Sequence, residues 1–152
     1  MPIRIETGQG PLVAPLPFSQ AEYDLRLEKV RQAMRAPALR AFVSFAPENI
    51  FWLTGHDSPA YHYLQACVVT PDEAPVNLIR RIDATNTLLC SWSRRVLPYA
   101  DHDEPAEVLA DLVEELCGPS GRIGVETDSF FVSARRMDML RRRLGTRLVP
   151  AQ

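Results

Sequence analysis

Apolar residues return every three or four positions in three stretches of the chain, the spacing that lines one face of a helix. Tyr23, Leu27, Val30 and Met34 form the first stripe, with Arg26, Lys29 and Arg31 expected to point elsewhere. Ser19 and Glu22 are spaced as a capping box ahead of it, Phe18 and Tyr23 flank the box as a hydrophobic staple, and Pro37 ends the helix. Val108, Leu109, Leu112, Val113 and Leu116 form the second stripe, begun by acids near Asp103 and stopped at Gly118-Pro119. Phe130, Ala134, Met137, Leu140 and Leu144 form the third, starting near Asp128 or Ser129 and closed by Gly145.

Between the stripes the pattern changes to short apolar runs. Residues 39–45, 61–70, 76–82 and 122–126 read as strands, and 147–149 as a final one. Ala66-Cys67-Val68-Val69 is apolar on both faces, as in a strand covered on both sides. The turn Pro71 to Pro75 makes 61–70 and 76–82 an antiparallel hairpin. Asp83 is placed to cap a short helix. Residues 95–99 form a weaker strand, and Pro98 suits it to an edge. Pro47-Glu48-Asn49-Ile50-Phe51-Trp52-Leu53-Thr54-Gly55 reads as a short helix, with proline in the first turn and glycine at the left-handed stop. Strands alternating with helices around a hairpin predict an α/β fold, a mixed sheet with helices on both faces.

Composition narrows the function classes. The 152 residues suffice for one domain with a real core. A net charge of −2 gives no pull toward nucleic acid or an anionic membrane, and no apolar run is long enough to span a bilayer. Residues 1–18, with four prolines, read as an extended arm and not as a secretory signal; residues 19–152 read as the domain. Cys67, Cys90 and Cys117 are odd in number and far apart, which favours a reducing, cytoplasmic setting.

Candidate chemistry is sparse. His56, Asp57 and His62 share one loop and would make a small metal or acid/base group, but a metal site needs three or four converging ligands, so loop polarity is the plainer reading. Cys67 lies in an apolar strand, where cysteine is usually inert. No serine elbow, dinucleotide fingerprint or phosphate loop occurs. Arg135, Arg136, Arg141, Arg142 and Arg143 crowd the last helix without interleaved stacking aromatics, which favours a solvated face over a nucleic-acid patch. Arg81, in Arg80-Arg81-Ile82-Asp83, would suit a substrate carboxylate, with a strand-end salt bridge to Asp83 as the alternative.

Four segments in order carry a resemblance. Tyr23-Asp24-x-Arg26-Leu27-x-Lys29-Val30, the Pro47 to Gly55 segment, Pro75-Val76-x-Leu78-Ile79-x-Arg81-x-Asp83-Ala84 and Arg122-Ile123-Gly124-Val125-Glu126 resemble successive motifs in the amino-terminal domain of the creatinase/prolidase/aminopeptidase P family. The resemblance implies a three-layer α/β/α domain, similar to a ribonuclease H fold, that precedes a pita-bread catalytic domain. In prolidases and aminopeptidases P that second domain holds two divalent metals; creatinases work without them. None of those catalytic positions falls on this chain, so no catalytic residue, metal ligand or cofactor is expected here. What the resemblance does imply is a gate and a homodimer contact: His56, Asp57, Tyr61, His62, Tyr63 and Arg81 would limit access to an active site that acts on a small amide, amidine or peptide. The loop sequence looks more like the creatinase and ectoine-hydrolase side of the family. The competing expectations are a stand-alone α/β binding module and a small hydrolase using His56, Asp57 or His62.

Overall fold

The computed structural model describes residues 3–151. Strands and helices follow in the order β1 (Glu6–Thr7), α1 (Gln20–Arg35), β2 (Leu39–Ser44), α2 (Pro47–Thr54), β3 (Ala66–Val69), β4 (Val76–Arg80), α3 (Arg81–Cys90), β5 (Arg95–Tyr99), α4 (Pro105–Cys117), β6 (Arg122–Val125), α5 (Ala134–Leu144) and β7 (Leu148–Pro150). The strands form one mixed sheet in the order β1-β5-β4-β3-β2-β6-β7. β3 runs antiparallel to β2 and β4, while β2, β6 and β7 are parallel to one another, as are β4 and β5. The carboxyl ends of β2, β4, β5 and β6 therefore share one edge of the sheet, together with the start of β3.

Alternation along the strands divides the core into two layers. Ala41, Val43, Ala66, Val68, Val76, Leu78, Leu97, Ile123 and Val125 face α4 and α5. Cys67, Val69, Ile79 and Val96 face α1, α2 and α3 on the other side. The expected three-layer α/β/α architecture is present. Leu109, Leu112 and Val113 of α4 are fully buried, as the stripe predicts. The arginines of α5 meet acids: Arg143 reaches Glu107, Asp111 and Glu114 of α4, and Arg135 and Arg136 share Glu104.

Several boundaries differ from the sequence expectation. The strand read as 61–70 is confined to Ala66–Val69, because the Tyr63 amide is spent on a turn with the Ala60 carbonyl. The strand read as 76–82 ends at Arg80; Arg81 opens α3 and Asp83 lies in its first turn. The last helix starts late, at Ala134, because the Ser133 hydroxyl caps it while Ser129 is tied to the Phe131 amide; Phe130 is left fully exposed. Half of the capping box forms: Ser19 accepts from the Glu22 amide, but the Glu22 carboxylate turns to Arg26. Arg26 is itself buried, against expectation, with its guanidinium 4.0 Å from the Phe18 ring. β5 is flanked by β1, which covers only Arg95 and Val96, so Pro98 needs no amide on its open side.

The amino-terminal arm docks back on this edge. Arg94 donates to the backbone carbonyls of Leu88, Gln9 and Gly10, and Gly8 donates to the Arg94 carbonyl. A Cβ on Gly8 would meet the Arg94 guanidinium, so a larger residue there would have to push that side chain aside.

Helix α2 sets the shape of the edge where the candidate residues gather. At eight residues it is too short to persist alone. Its capping residue, Ala46, has no side chain to offer, and Glu126 at the end of β6 supplies the missing acceptor. Glu126 Oε2 accepts from the amides of Phe45 at 2.7 Å and Ala46 at 2.9 Å and from the Ser44 hydroxyl, while Oε1 accepts from Asn49 Nδ2 at 2.6 Å. An anion at this end also complements the helix dipole. The last four carbonyls of α2 are all engaged. Phe51 takes the Gly55 amide, Trp52 takes Arg26 and Leu53 takes the Trp92 indole, while Thr54 takes the Ser91 hydroxyl and the Trp92 amide. Gly55 has φ 75°, and a Cβ there would lie 2.8 Å from the Tyr23 hydroxyl.

Two stability outcomes follow. Glu126→Ala should cost about 3 kcal/mol or more in chemical denaturation, because several donors lose a charged acceptor at once. Glu126→Gln should also fail, since one of its two ends donates; adding Asn49→Asp to it restores a donor–acceptor match and should recover part of the loss. Ala38, between α1 and β2, has φ 54°. Ala38→Gly should therefore raise stability by roughly 0.5–1 kcal/mol, the left-handed penalty minus the entropy of glycine.

Candidate functional site

The six residues singled out in the sequence all lie at the edge where β2, β4, β5 and β6 end. In open α/β sheets this is the side where ligands bind. They do not form one cluster. His56 is buried at 3% exposure, under the loop. Its Nε2 lies 3.1 Å from Gln65 Oε1 and its Nδ1 lies 2.9 Å from the Thr87 hydroxyl. One neutral tautomer satisfies both contacts, with Nε2–H donating to Gln65 and Nδ1 accepting from Thr87. Burial lowers the pKa of His56 from its ordinary 6.5, against smaller opposing pulls from the Gln65 hydrogen bond and from Asp57 and Asp83. His56 thus ties the end of α2 to α3 and to the approach to β3. Asp57 is exposed, and its carbonyl accepts from Asn86.

Tyr61, His62 and Tyr63 stand on the surface above this support. The Tyr61 ring meets Phe131 edge-on at 6.2 Å, and the His62 and Tyr63 rings are 4.4 Å apart. The Arg80 guanidinium lies 4.0 Å from the centre of the Tyr63 ring. Arg80 is held in that place by a two-pronged pair with Asp101, at 2.6 and 2.8 Å, which in turn keeps the Asp101 carboxyl below its usual range. Below lies a cleft of about 220 Å³ walled by Tyr63, Arg80, Tyr99, Asp101, Asp103, Pro105 and Arg136. Tyr99 donates to the Leu64 carbonyl at 2.8 Å, and burial pushes its hydroxyl up to about 12, so it stays a donor.

Arg80, one residue before the expected arginine, is therefore the guanidinium beside the aromatic loop. Arg81 points outward, 3.9 Å from Glu6. Pairing in the strand explains the exchange: Arg80 is the last residue of β4, opposite Tyr99 in β5. Sequence reasoning also missed Phe131, whose ring meets Tyr61 and extends the aromatic ridge; its assignment to a helix hid it. Glu126 carried a signal, a lone acid closing an apolar strand. Among the described residues no group of three or more His, Cys, Asp or Glu side chains is placed to hold a metal ion, and no helix is long and apolar enough to cross a membrane.

Comparison with known proteins gives a consistent result. Residues 26–152 match the family described as Creatinase/Prolidase N-terminal domain. The chain is 32% identical over 138 residues to the ectoine hydrolase of Halomonas elongata, a match covering 85% of this chain and 35% of that protein. It is 23% identical over 120 residues to the putative dipeptidase YkvY of Bacillus subtilis, covering 79% of this chain and 32% of that one. The chain thus spans about a third of the length of the curated relatives it matches. Among solved structures, the N-terminal domain of Xaa-Pro dipeptidase from Lactobacillus brevis superposes with a TM-score of 0.68 at 23% identity, over 83% of this chain and 90% of that one. Dipeptidase PepE from Mycobacterium ulcerans gives 0.64 at 22%, over 88% of this chain and 35% of that one. At these identities the structures establish the fold.

The buried histidine generates a pH signature. Its folded pKa is depressed, so the unfolded chain binds the extra proton first. The His56 contribution to stability should be fully present above pH 6.5 and should fall as pH drops below that value. The difference between wild type and His56→Gln, followed by denaturant midpoint from pH 7.5 to 5, should carry this slope.

Proposed function

We propose, on the premise that this chain belongs to the creatinase/prolidase amino-terminal domain family, that it is the non-catalytic portion of a longer hydrolase. Its work there is to select substrate and to hold a homodimer together. The observation that supports this reading is the construction of the 56–63 loop. Its base is pinned by His56, Gln65, Thr87 and Asn86, while Tyr61, His62 and Tyr63 stand exposed on top. Exposed rings on a fixed base suit recognition, since little entropy is lost when they meet a ligand. Aromatic faces beside Arg80 offer an apolar wall with a fixed positive charge, a match for a small amide, amidine or peptide bearing a carboxylate. Asp57 and Arg81 flank the ridge from its rim. His56 acts through the loop, as a positioning residue. Bond cleavage, and any divalent metal that assists it, belong to residues of the longer protein beyond this domain.

In that longer enzyme, Tyr61→Ala and Tyr63→Ala should lower kcat/KM about tenfold, equivalent to about 1.4 kcal/mol, with an unchanged melting midpoint. Mixing a loop variant with a subunit inactivated in its catalytic part should restore activity at one of two sites if the loop serves its neighbour. Unchanged kinetics in both variants would turn the reading toward a stand-alone binding module. The 152-residue chain by itself should show neither stoichiometric metal after dialysis nor turnover of Xaa-Pro dipeptides or creatine.

A further inference from the structure

Two adjoining hollows use none of the residues of the aromatic loop. One, of about 350 Å³, is lined by Glu28, Arg31, Met34, Arg35, Ala38, Leu39, Arg40, Pro71 and Asp72. A second, of about 290 Å³, is almost wholly apolar and includes Val30, Phe42 and Ala151. Met34 and Leu39 line both, so the two adjoin across those side chains. The first sits where α1 ends and β2 begins, and the second runs from there along β2 to Pro150 and Ala151 at the end of β7.

The charge of this region is unbalanced in its bonding. Arg31 donates to the backbone carbonyls of Thr70 and Glu73, which fix its position without neutralising it. Arg40 makes no hydrogen bond or ion pair among the described residues. Arg122, beside the rim, donates to the Pro37 carbonyl. Of the two acids on the wall, Glu28 is taken by Arg35 at 3.1 Å, and Asp72 stands exposed on the rim. An apolar floor next to guanidiniums without carboxylate partners matches one ligand chemistry: an anionic head on a hydrocarbon body.

We infer that this double groove binds a small amphiphilic anion, its carboxylate or phosphate on Arg31 and Arg40 and its apolar body along Met34, Leu39 and Phe42. Guanidinium forks suit both head groups, and burying the body removes apolar surface of the groove from water. The site is independent of the gating role proposed above, because it uses none of the same residues.

The test titrates the isotope-labelled 152-residue chain with octanoate and with octyl phosphate, observed by amide NMR shifts. Octylamine and octanol serve as controls. The expected result is saturable shifts at Val30, Phe42, Ala151 and Arg40 with one or both anions, and weaker binding of both controls. Arg40→Glu should weaken the anion by about tenfold, the equivalent of one charge-assisted hydrogen bond. Arg40→Gln should show a smaller loss in the same direction. Both variants should keep the remaining spectrum, since Arg40 is exposed. The inference is overturned if neither anion saturates by about 10 mM. It is equally overturned if octylamine or octanol binds as tightly, if the Arg40 variants bind unchanged, or if the shifts fall at Tyr61 to Tyr63 instead. The ratio of octanoate to octyl phosphate affinity separates a carboxylate from a phosphate ligand.

Discussion

One carboxylate organises the edge of this domain where the candidate residues gather. Glu126 reaches back across the sheet to the amides of Phe45 and Ala46 and the side chain of Asn49, and so fixes where α2 begins. Its axis decides where Gly55 releases the chain, and therefore where the loop to β3 emerges. The helix has no intrinsic reason to stand there. It is short, its capping residue is alanine, and it gains its stability from partners far along the sequence. At its other end Arg26, Ser91 and Trp92 take the orphan carbonyls, so each terminus is satisfied by tertiary contacts.

The loop above inherits this rigidity. His56 sits between Gln65 and Thr87 as a neutral ring, a role that burial favours and protonation opposes. Tyr99 props the Leu64 carbonyl from beneath, and Asp101 aims Arg80 at Tyr63. Polar groups below and exposed rings above separate two tasks that a flexible loop would mix. The support is settled by folding, so the surface rings stand on a fixed base.

Much of the fold was legible in the sequence. The stripes of α1 and α4, the apolar hairpin of β3 and β4, and the proline and glycine that bound α2 all rest on local spacing, and local spacing survives folding. The misreadings arose where a distant partner outweighed local pattern. Arg26 fits an outward helix position, yet the Trp52 carbonyl and a ring of aromatics draw it in. Phe130 keeps helical phase with Met137, but Ser133 offers the better cap and the helix begins after it. At the candidate site the sequence marked the loop that carries the exposed rings, and the arginine beside those rings is Arg80, with Arg81 turned toward Glu6. The strand ends at Arg80, two residues before the expected end, so Arg81 opens α3 and Arg80 is the arginine left on the strand. Glu126 stood in a segment that resembled the family, but its role depends on a contact to residues about 80 positions earlier, and no periodicity encodes that.

The arm clasped by Arg94 lies before residue 26, where the family match starts. β1 shields the start of the outer rim of β5, at Arg95 and Val96, which would otherwise present free amides and carbonyls to any neighbouring strand. A fragment trimmed to the matched residues would lose this cover and the start of α1, with the buried Tyr23. It would also lose Phe18 from above Arg26. During synthesis the arm emerges before β5, nearly 90 residues ahead of it, and must wait for that strand before it can dock. Until then the domain carries an unprotected border, and self-association of nascent or truncated chains is the hazard that this short, proline-rich segment removes.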